Sequence, residues 1–527
     1  MAVATYHQNA EIEQDKREEA GQDRIPTESI KDAPVAEKPY SVFTSAQKKW
    51  IVFLLTLSAF FSPFSSTVYL PALLPVQQEL GITTTQVNLS LTTYLIFQAI
   101  APTLSGELSD TLGRRPVYLL TFIIYVAACA GLAVQKSLAA LLILRMLQSS
   151  GSSGTVAIAF GTLADFTTPA ERGSYMGFMN SFPLSSPALG PVIGGAIAEA
   201  AGWRWIFWFL VIFASLALAL MFLAFPETNR KVVGDGSIRP PALNRVILEK
   251  LVSPKESWAS RDGGASNGRK RTLRDMVPNP FRSVLIIFNK DVSIILLVMS
   301  IFYAAFYAVM ASIPKLFSEI YGYNELQVGL CYLAFGTGGI LSSIVTGKII
   351  DRDFRSVADK SGIKVDRKKL EDMSKFPLEK ARLKSIWYAM GLCIAAVISY
   401  GWALSRKPHV AAPLVLQFII GASNVSVMNI ISVFLVDLYP AAPATATASG
   451  NLCRCMVGAV STSVIEIMIT KLGVGWTFTF WGLICLFCFP LLEMERRWGH
   501  KWRLARFEVL VKKQEQEKLK NEANGGA

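Results

Sequence analysis

Apolar, nearly uncharged stretches of about 20 or more residues recur along the chain. Six fall at 50–71, 87–106, 116–135, 138–164, 174–200 and 204–225, and six more at 292–314, 327–349, 384–404, 412–436, 444–469 and 475–494. At ~1.5 Å rise per residue, each reaches across the ~30 Å hydrocarbon layer of a bilayer as a helix. The period-two alternation of a membrane barrel is absent, so the spans satisfy their backbone polar groups as helices. The pattern predicts an all-α polytopic membrane protein with twelve transmembrane helices. Polar segments divide it into a disordered tail over 1–49, a six-helix bundle over 50–225, a central loop over 226–291, a second six-helix bundle over 292–494 and a basic tail over 495–527.

Composition supports this. Of 527 residues, 52% are hydrophobic and 17% charged, against ~45–50% and ~25% for soluble domains. That excludes a disordered chain, collagen and a disulfide scaffold, and argues against a multidomain soluble enzyme. The net charge of +13 fits a chain whose charges are segregated from its apolar segments. With the N-terminus in the cytoplasm, the inner segments collect 44 of the 52 Lys and Arg residues. The outer loops keep only Lys136, Arg204, Lys315, Arg406, Lys407 and Lys471. The positive-inside rule therefore puts both termini in the cytoplasm, and the basic loops carry no implication of nucleic-acid binding. The first 49 residues hold nine acids and seven bases with no apolar stretch, which excludes a signal peptide.

The seven cysteines, including Cys485 and Cys488 at redox spacing, all lie in apolar runs and read as small hydrophobes. The histidines, His7, His409 and His500, lie outside the spans, so neither histidine catalysis nor a histidine metal site exists within the membrane, and no metal site is expected. A phosphate-binding glycine loop with Lys-Ser/Thr is also missing. Without an ATPase engine, any transport draws on an ion gradient, and no cofactor is expected.

The hairpin after the second span reads Gly106-Glu-Leu-Ser-Asp110-Thr-Leu-Gly113-Arg114-Arg115. Its glycines permit a tight reversal, and Asp110 with Arg114 or Arg115 forms charge-assisted bonds that latch helix ends on the inner face. Gly347-x3-Asp351-Arg352 repeats the Gly-x3-Asp spacing 241 residues later, an internal repeat between the two halves. In the fifth span, Pro191 frees the carbonyl four residues back and kinks the helix, as a flexing element would.

These motifs resemble the major facilitator superfamily. Gly106 to Arg115 is similar to its signature between helices two and three. Leu141-x3-Arg145-x2-Gln148-x2-Gly151 resembles its fourth-helix motif, with Ser149 where glycine is usual. Gly177 with Gly190-Pro191-x2-Gly194-Gly195 resembles the fifth-helix antiporter motif, with Ser186 in place of one glycine. Pro226-Glu-Thr228 closes the sixth helix as it often does there. Leu435-Val-Asp437-Leu-Tyr439-Pro440 and Ala448-x2-Asn451-Leu-x-Arg454 are similar to the fungal twelve-span drug:proton antiporter branch, which includes quinidine- and organic-acid-resistance transporters. The resemblance covers about 50–494. It implies two inverted-repeat-containing bundles rocking about a midplane site, antiport driven by protons, and a role for Arg145 in coupling.

Ionisable groups inside a span are costly and are functional candidates. Arg145 lies ~10 Å into the fourth span and Arg454 ~15 Å into the eleventh, neither with an acid at its depth. A cavity lined this way prefers an anion or a neutral molecule rich in acceptors. Gln148, Asn424 and Asn451 are amides able to satisfy the arginines, and Tyr303 and Tyr307, one turn apart, are candidates for the cavity wall. Asp165, Glu199 and Glu466 are candidate proton carriers, and Asp165 also belongs with the inner latch. Asn88-Leu-Ser90 and Asn424-Val-Ser426 match the glycosylation sequon; only Asn88 lies near an outer end. The expected protein is a monomeric proton-coupled exporter of drugs or toxic or secondary metabolites in the plasma membrane. The alternatives are a dedicated organic-acid exporter and a non-transporting membrane sensor.

Overall fold

The computed structural model describes residues 41–167, 169–241, 244–247, 286–361, 376–407, 409–439 and 443–525. Helix α1 (Ser45–Thr67) starts at a capping box in which Thr44 and Gln47 satisfy each other's backbone N–H groups. A 3₁₀ turn at Leu70–Ala72 and a short helix α2 (Leu73–Leu80) follow. Then come α3 (Thr84–Leu112), α4 (Arg114–Val134), α5 (Leu138–Phe166), α6 (Pro169–Ala201), α7 (Arg204–Ala224) and the single turn α8 (Arg230–Val233). The second half holds α9 (Lys290–Tyr321), α10 (Glu325–Ser361), the short α11 (Leu378–Arg382), α12 (Ile386–Ser405), α13 (Ala411–Leu438), α14 (Pro443–Leu472) and α15 (Val474–Gly525).

Twelve of these helices have 20 or more residues, and ten are apolar enough by composition to cross a membrane. The two that fall short, α5 and α6, are rich in small and polar residues. In α5, Ser149, Ser152, Ser153 and Thr155 are all buried, small polar side chains that let helices approach closely where lipid gives no hydrophobic drive.

In the first half α3 and α4 pack on α5, α4 on α7, and α1 on α5 and α6. The same pairings recur in the second: α10 and α12 on α13, α12 on α15, and α9 on α13 and α14. The halves meet where α6 packs on α10 and α3 on α14. A Cβ added to Gly190 or Gly194 of α6 would collide with Thr67 or Val68 at the end of α1, within the first half, and one added to Gly195 with the Glu325 carbonyl across the first seam. These motif glycines thus sit at close approaches of backbones. Gly177 lies within the same helix, which runs unbroken through Pro183, Pro187 and Pro191.

Several expected boundaries move. Lys315 is not in a loop, because α9 continues to Tyr321 and carries it onto Glu466 of α14. Gly347, Asp351 and Arg352 do not form a hairpin. Helix α10 runs through them to Ser361, and a Cβ on Gly347 would meet open space. The tail continues α15 as one helix to Gly525.

Beyond its apolar part, α15 staples the second half together. Arg503 pairs with Glu379 of α11 at 2.9 Å, and Arg506 with Asp291 of α9 at 2.7 Å. Glu495 lies on the same face, fully buried, with no hydrogen-bond partner on either oxygen. A buried carboxyl beside like-charged groups is costly, whereas an amide offers N–H donors to them. Glu495→Gln is expected to raise the thermal midpoint of the detergent-solubilised protein by about 2 °C. A lower midpoint would show that the carboxyl contributes stability.

Candidate substrate and coupling site

Arg145 points from α5 into the interior of the first half and is fully buried. Its guanidinium carbon lies 4.5 Å from the ring centre of Tyr69 and 4.4 Å from that of Tyr94, a desolvated cation between two aromatic faces. Nη1 donates to Gln148 Oε1 at 2.6 Å and to the Ser65 carbonyl at 3.4 Å. That carbonyl belongs to the last turn of α1, where carbonyls lack helical partners. Nε and Nη2 have no hydrogen-bond partner.

Arg454 on α14 is half-buried. Its Nε and Nη2 donate to Asn451 Oδ1 at 3.3 and 3.0 Å, and its guanidinium carbon lies 5.1 Å from the ring centre of Tyr303. Tyr303 and Tyr307 are 4.9 Å apart, and Tyr307 packs with Leu95 and Ala459. Asn451 Nδ2 donates across the seam to the Gln98 carbonyl at 2.9 Å. Gln98 Nε2 in turn donates to Ser62 Oγ at 3.0 Å, and Tyr94 Oη donates to the Ser62 carbonyl at 2.7 Å. A web of polar groups therefore joins the two arginines through Tyr94, Ser62, Gln98 and Asn451. Among the described residues, neither guanidinium meets a carboxylate. Asn424 lies apart, buried in α13 and donating to the Phe302 carbonyl at 2.9 Å.

Among the described residues, the hydrogen bonds joining the halves run from this web toward one end of the bundle. Thr92 meets Thr462 at 3.0 Å and Ser463 at 2.9 Å, and Asn324 Nδ2 donates to Glu199 Oε1 at 3.1 Å.

At the opposite end the signature residues form a buried knot. Gly113 turns the chain with φ +108°, a left-handed value that suits glycine; Gly106 lies inside α3 and plays no part in the turn. Arg114 pairs with Asp110 at 2.5 Å and Asp165 at 2.8 Å. Arg115 instead donates to the carbonyls of Phe225 at 3.0 Å and Arg245 at 2.7 Å. The second half has its own version of the Arg114–Asp165 pair, between Arg382 and Asp437 at 2.6 Å, while Asp351 and Arg352 are exposed on α10.

The three candidate carriers differ in setting. Asp165 is held by Arg114, Glu466 is buried against Lys315, and Glu199 is exposed at the α6–α10 contact. Asn88 is buried inside α3; a glycan needs an exposed acceptor, so the sequon at this position is sterically closed.

Sequence reasoning missed Tyr69, Tyr94, Gln98 and Arg382, and reached Glu227 only as part of the motif that closes the sixth helix. Gln98 was discoverable as an amide halfway along an apolar helix. The tyrosines were not, because ring stacking on Arg145 depends on how α1 and α3 pack.

Twelve long helices in two repeated sixes, with one buried and one half-buried arginine in their interior, define a polytopic membrane protein. A model of the Major Facilitator Superfamily matches residues 55–462, and the chain belongs to that superfamily. The MFS-type transporter phiD of a fungal species is 41% identical over 467 residues, covering 89% of this chain and 71% of that protein. Citrate exporter 1 of Aspergillus niger is 34% identical over 506 residues, 95% of this chain and 94% of that protein. The fold matches the Escherichia coli xylose transporter XylE with a TM-score of 0.58 at 15% identity, over 85% of this chain and 97% of XylE.

Proposed function

We propose that the protein is a proton-coupled exporter of small organic compounds, anionic or neutral, working by alternating access across a plasma membrane. The observation that supports this most is the pair of arginines, Arg145 and Arg454, linked by uncharged polar groups with, among the described residues, no carboxylate beside either. An uncompensated positive field at mid-depth attracts acceptor groups and repels a bare cation. Arg454, half-buried, is the group that faces substrate. Arg145, sealed between two tyrosines, sets the potential and holds the end of α1.

The positive-inside pattern favours a cytoplasmic Asp110 end and cytoplasmic termini. The cross-half bonds at the opposite end, among them Asn324 to Glu199, then support reading this as the state that loads from the cytoplasm. Asp165, Glu199 and Glu466 are the carboxyls available to carry the proton. Glu466 shares α14 with Arg454, and its protonation would release Lys315 of α9. The protein works as a monomer.

A second reading, a dedicated carboxylate exporter, is favoured by the same arginines together with the similarity to Citrate exporter 1. Cells loaded with a radiolabelled tricarboxylate or with a neutral drug separate the two. Drug efflux that quickens at acid external pH and stops with a protonophore supports the first reading, and efflux of the tricarboxylate alone supports the second. Efflux indifferent to pH and protonophore would remove proton coupling.

A further inference from the structure

Pro102 lies inside α3 and has no N–H to give to the carbonyl four residues earlier, which belongs to Gln98. That carbonyl receives the Asn451 side-chain amide from the other half of the molecule at 2.9 Å. The same device occurs within one half: Pro314 of α9 frees the Met310 carbonyl, and Tyr332 Oη caps it at 2.7 Å. The Gln98 cap differs because rocking of the halves has to break it.

Asn451 is held at both ends of its amide. Its Nδ2 holds the freed carbonyl, while its Oδ1 accepts charge-assisted bonds from both Nε and Nη2 of Arg454, one turn along α14, and a weaker one from Cys455 Sγ at 3.6 Å. The two ends of a planar amide turn together, so the guanidinium fixes the orientation that lets Nδ2 reach α3. A carboxylate that takes the guanidinium bidentately withdraws it from Oδ1, and the amide is then free to leave the Gln98 carbonyl.

We propose that Asn451 is a positioning residue that transmits occupancy of Arg454 by a carboxylate-bearing substrate to the α3–α14 seam through the carbonyl freed by Pro102. Substrate binding loosens the closed end, and the empty transporter closes it again. This rests on the reading of Arg454 as the group that meets an anion.

Disulfide cross-linking of Thr92→Cys with Ser463→Cys, whose side chains meet across the α3–α14 seam, reports closure in the full-length protein. Asn451→Asp keeps an acceptor for Arg454 but loses the donor. Pro102→Ala restores an N–H to the Gln98 carbonyl and leaves Arg454 untouched. Without substrate, each is expected to slow cross-linking about 3- to 10-fold, the worth of one hydrogen bond, and the double variant to slow it no further than either alone. A tricarboxylate is expected to slow cross-linking in the parent by a similar factor and to do nothing further in Asn451→Asp. Cross-linking at the parent rate in both single variants, or a full tricarboxylate effect in Asn451→Asp, overturns the proposal. If the variants behave as expected but the parent ignores the tricarboxylate, transmission from Arg454 is overturned. Direct binding of the radiolabelled tricarboxylate to the parent then shows whether the anion reading has failed with it.

Discussion

Arg145→Met is expected to fold as well as the parent and to transport nothing. The two outcomes separate because the arginine's contributions to stability and to transport are different in kind. Its stabilising contacts are two tyrosine faces, each about 2 kcal/mol for a desolvated cation, and hydrogen bonds to Gln148 and Ser65. Against them stand the desolvation of a full charge and two buried N–H groups without partners. An apolar replacement removes the buried charge and its two unpaired N–H groups but leaves Gln148 Oε1 and the Ser65 carbonyl without this donor, two costs of similar size and opposite sign. Methionine fills the slot between Tyr69 and Tyr94 and can contact both rings through sulfur. The positive field at mid-depth disappears, however, and with it the attraction for an anion or acceptor. The thermal midpoint is expected within a few degrees of the parent or above it, and efflux to fall by about 100-fold or more, on the order of 3 kcal/mol. Arg145→Lys is expected to lose most transport too, since one ammonium cannot stack on two rings while bonding to Gln148 and Ser65. Parent-like efflux in the methionine variant would remove Arg145 from the mechanism.

Local chemistry explains what the sequence disclosed. Unbroken apolar runs mark helices whichever neighbours they meet, so the twelve long helices and their grouping were legible. Arg145 and Arg454 were legible too, because charge within an apolar run is conspicuous. The misreadings have tertiary causes. Lys315 looked like a loop residue because its partner Glu466 is 151 positions away. The Gly347 motif looked like a hairpin by analogy with Gly106-x3-Asp110, yet α10 continues through it. The link between Arg145 and Arg454 passes through a backbone carbonyl of Gln98 and one of Ser62, groups that every residue possesses and no sequence pattern singles out. Pro102 could have pointed to the first, because a proline names the carbonyl it frees.

Glu227→Ala is expected to produce the largest loss of stability among single substitutions at the Asp110 end. The sequence shows this glutamate only as part of Pro226-Glu-Thr228, but in the fold it is the cap of α4. Gly113, in the N-cap position, has no side chain to offer the first N–H groups of that helix. Glu227 supplies the missing acceptor from 113 residues away: Oε1 accepts from the Arg114 N–H at 2.8 Å, and Oε2 from the Arg115 N–H at 3.3 Å. It also accepts the N–H groups of Thr228 and Asn229 at 3.0 and 2.9 Å and the Asn244 amide at 2.6 Å. The carboxylate is buried at a helix N-terminus, where negative charge is favoured. Alanine leaves several buried donors unsatisfied at once and Arg114 with one acid fewer nearby, a cost of roughly 3–5 kcal/mol. The thermal midpoint is expected to drop by roughly 5–10 °C. Glu227→Gln should lose about half as much, because one oxygen remains while the amide nitrogen faces other donors. Gly113→Ala places a methyl group on the same carboxylate and on Asn244, besides straining φ. Its loss should match that of Glu227→Ala, and the double variant should fall well short of the sum, because both substitutions break one cap. Fully additive losses would mean that Gly113 and Glu227 stabilise the turn independently.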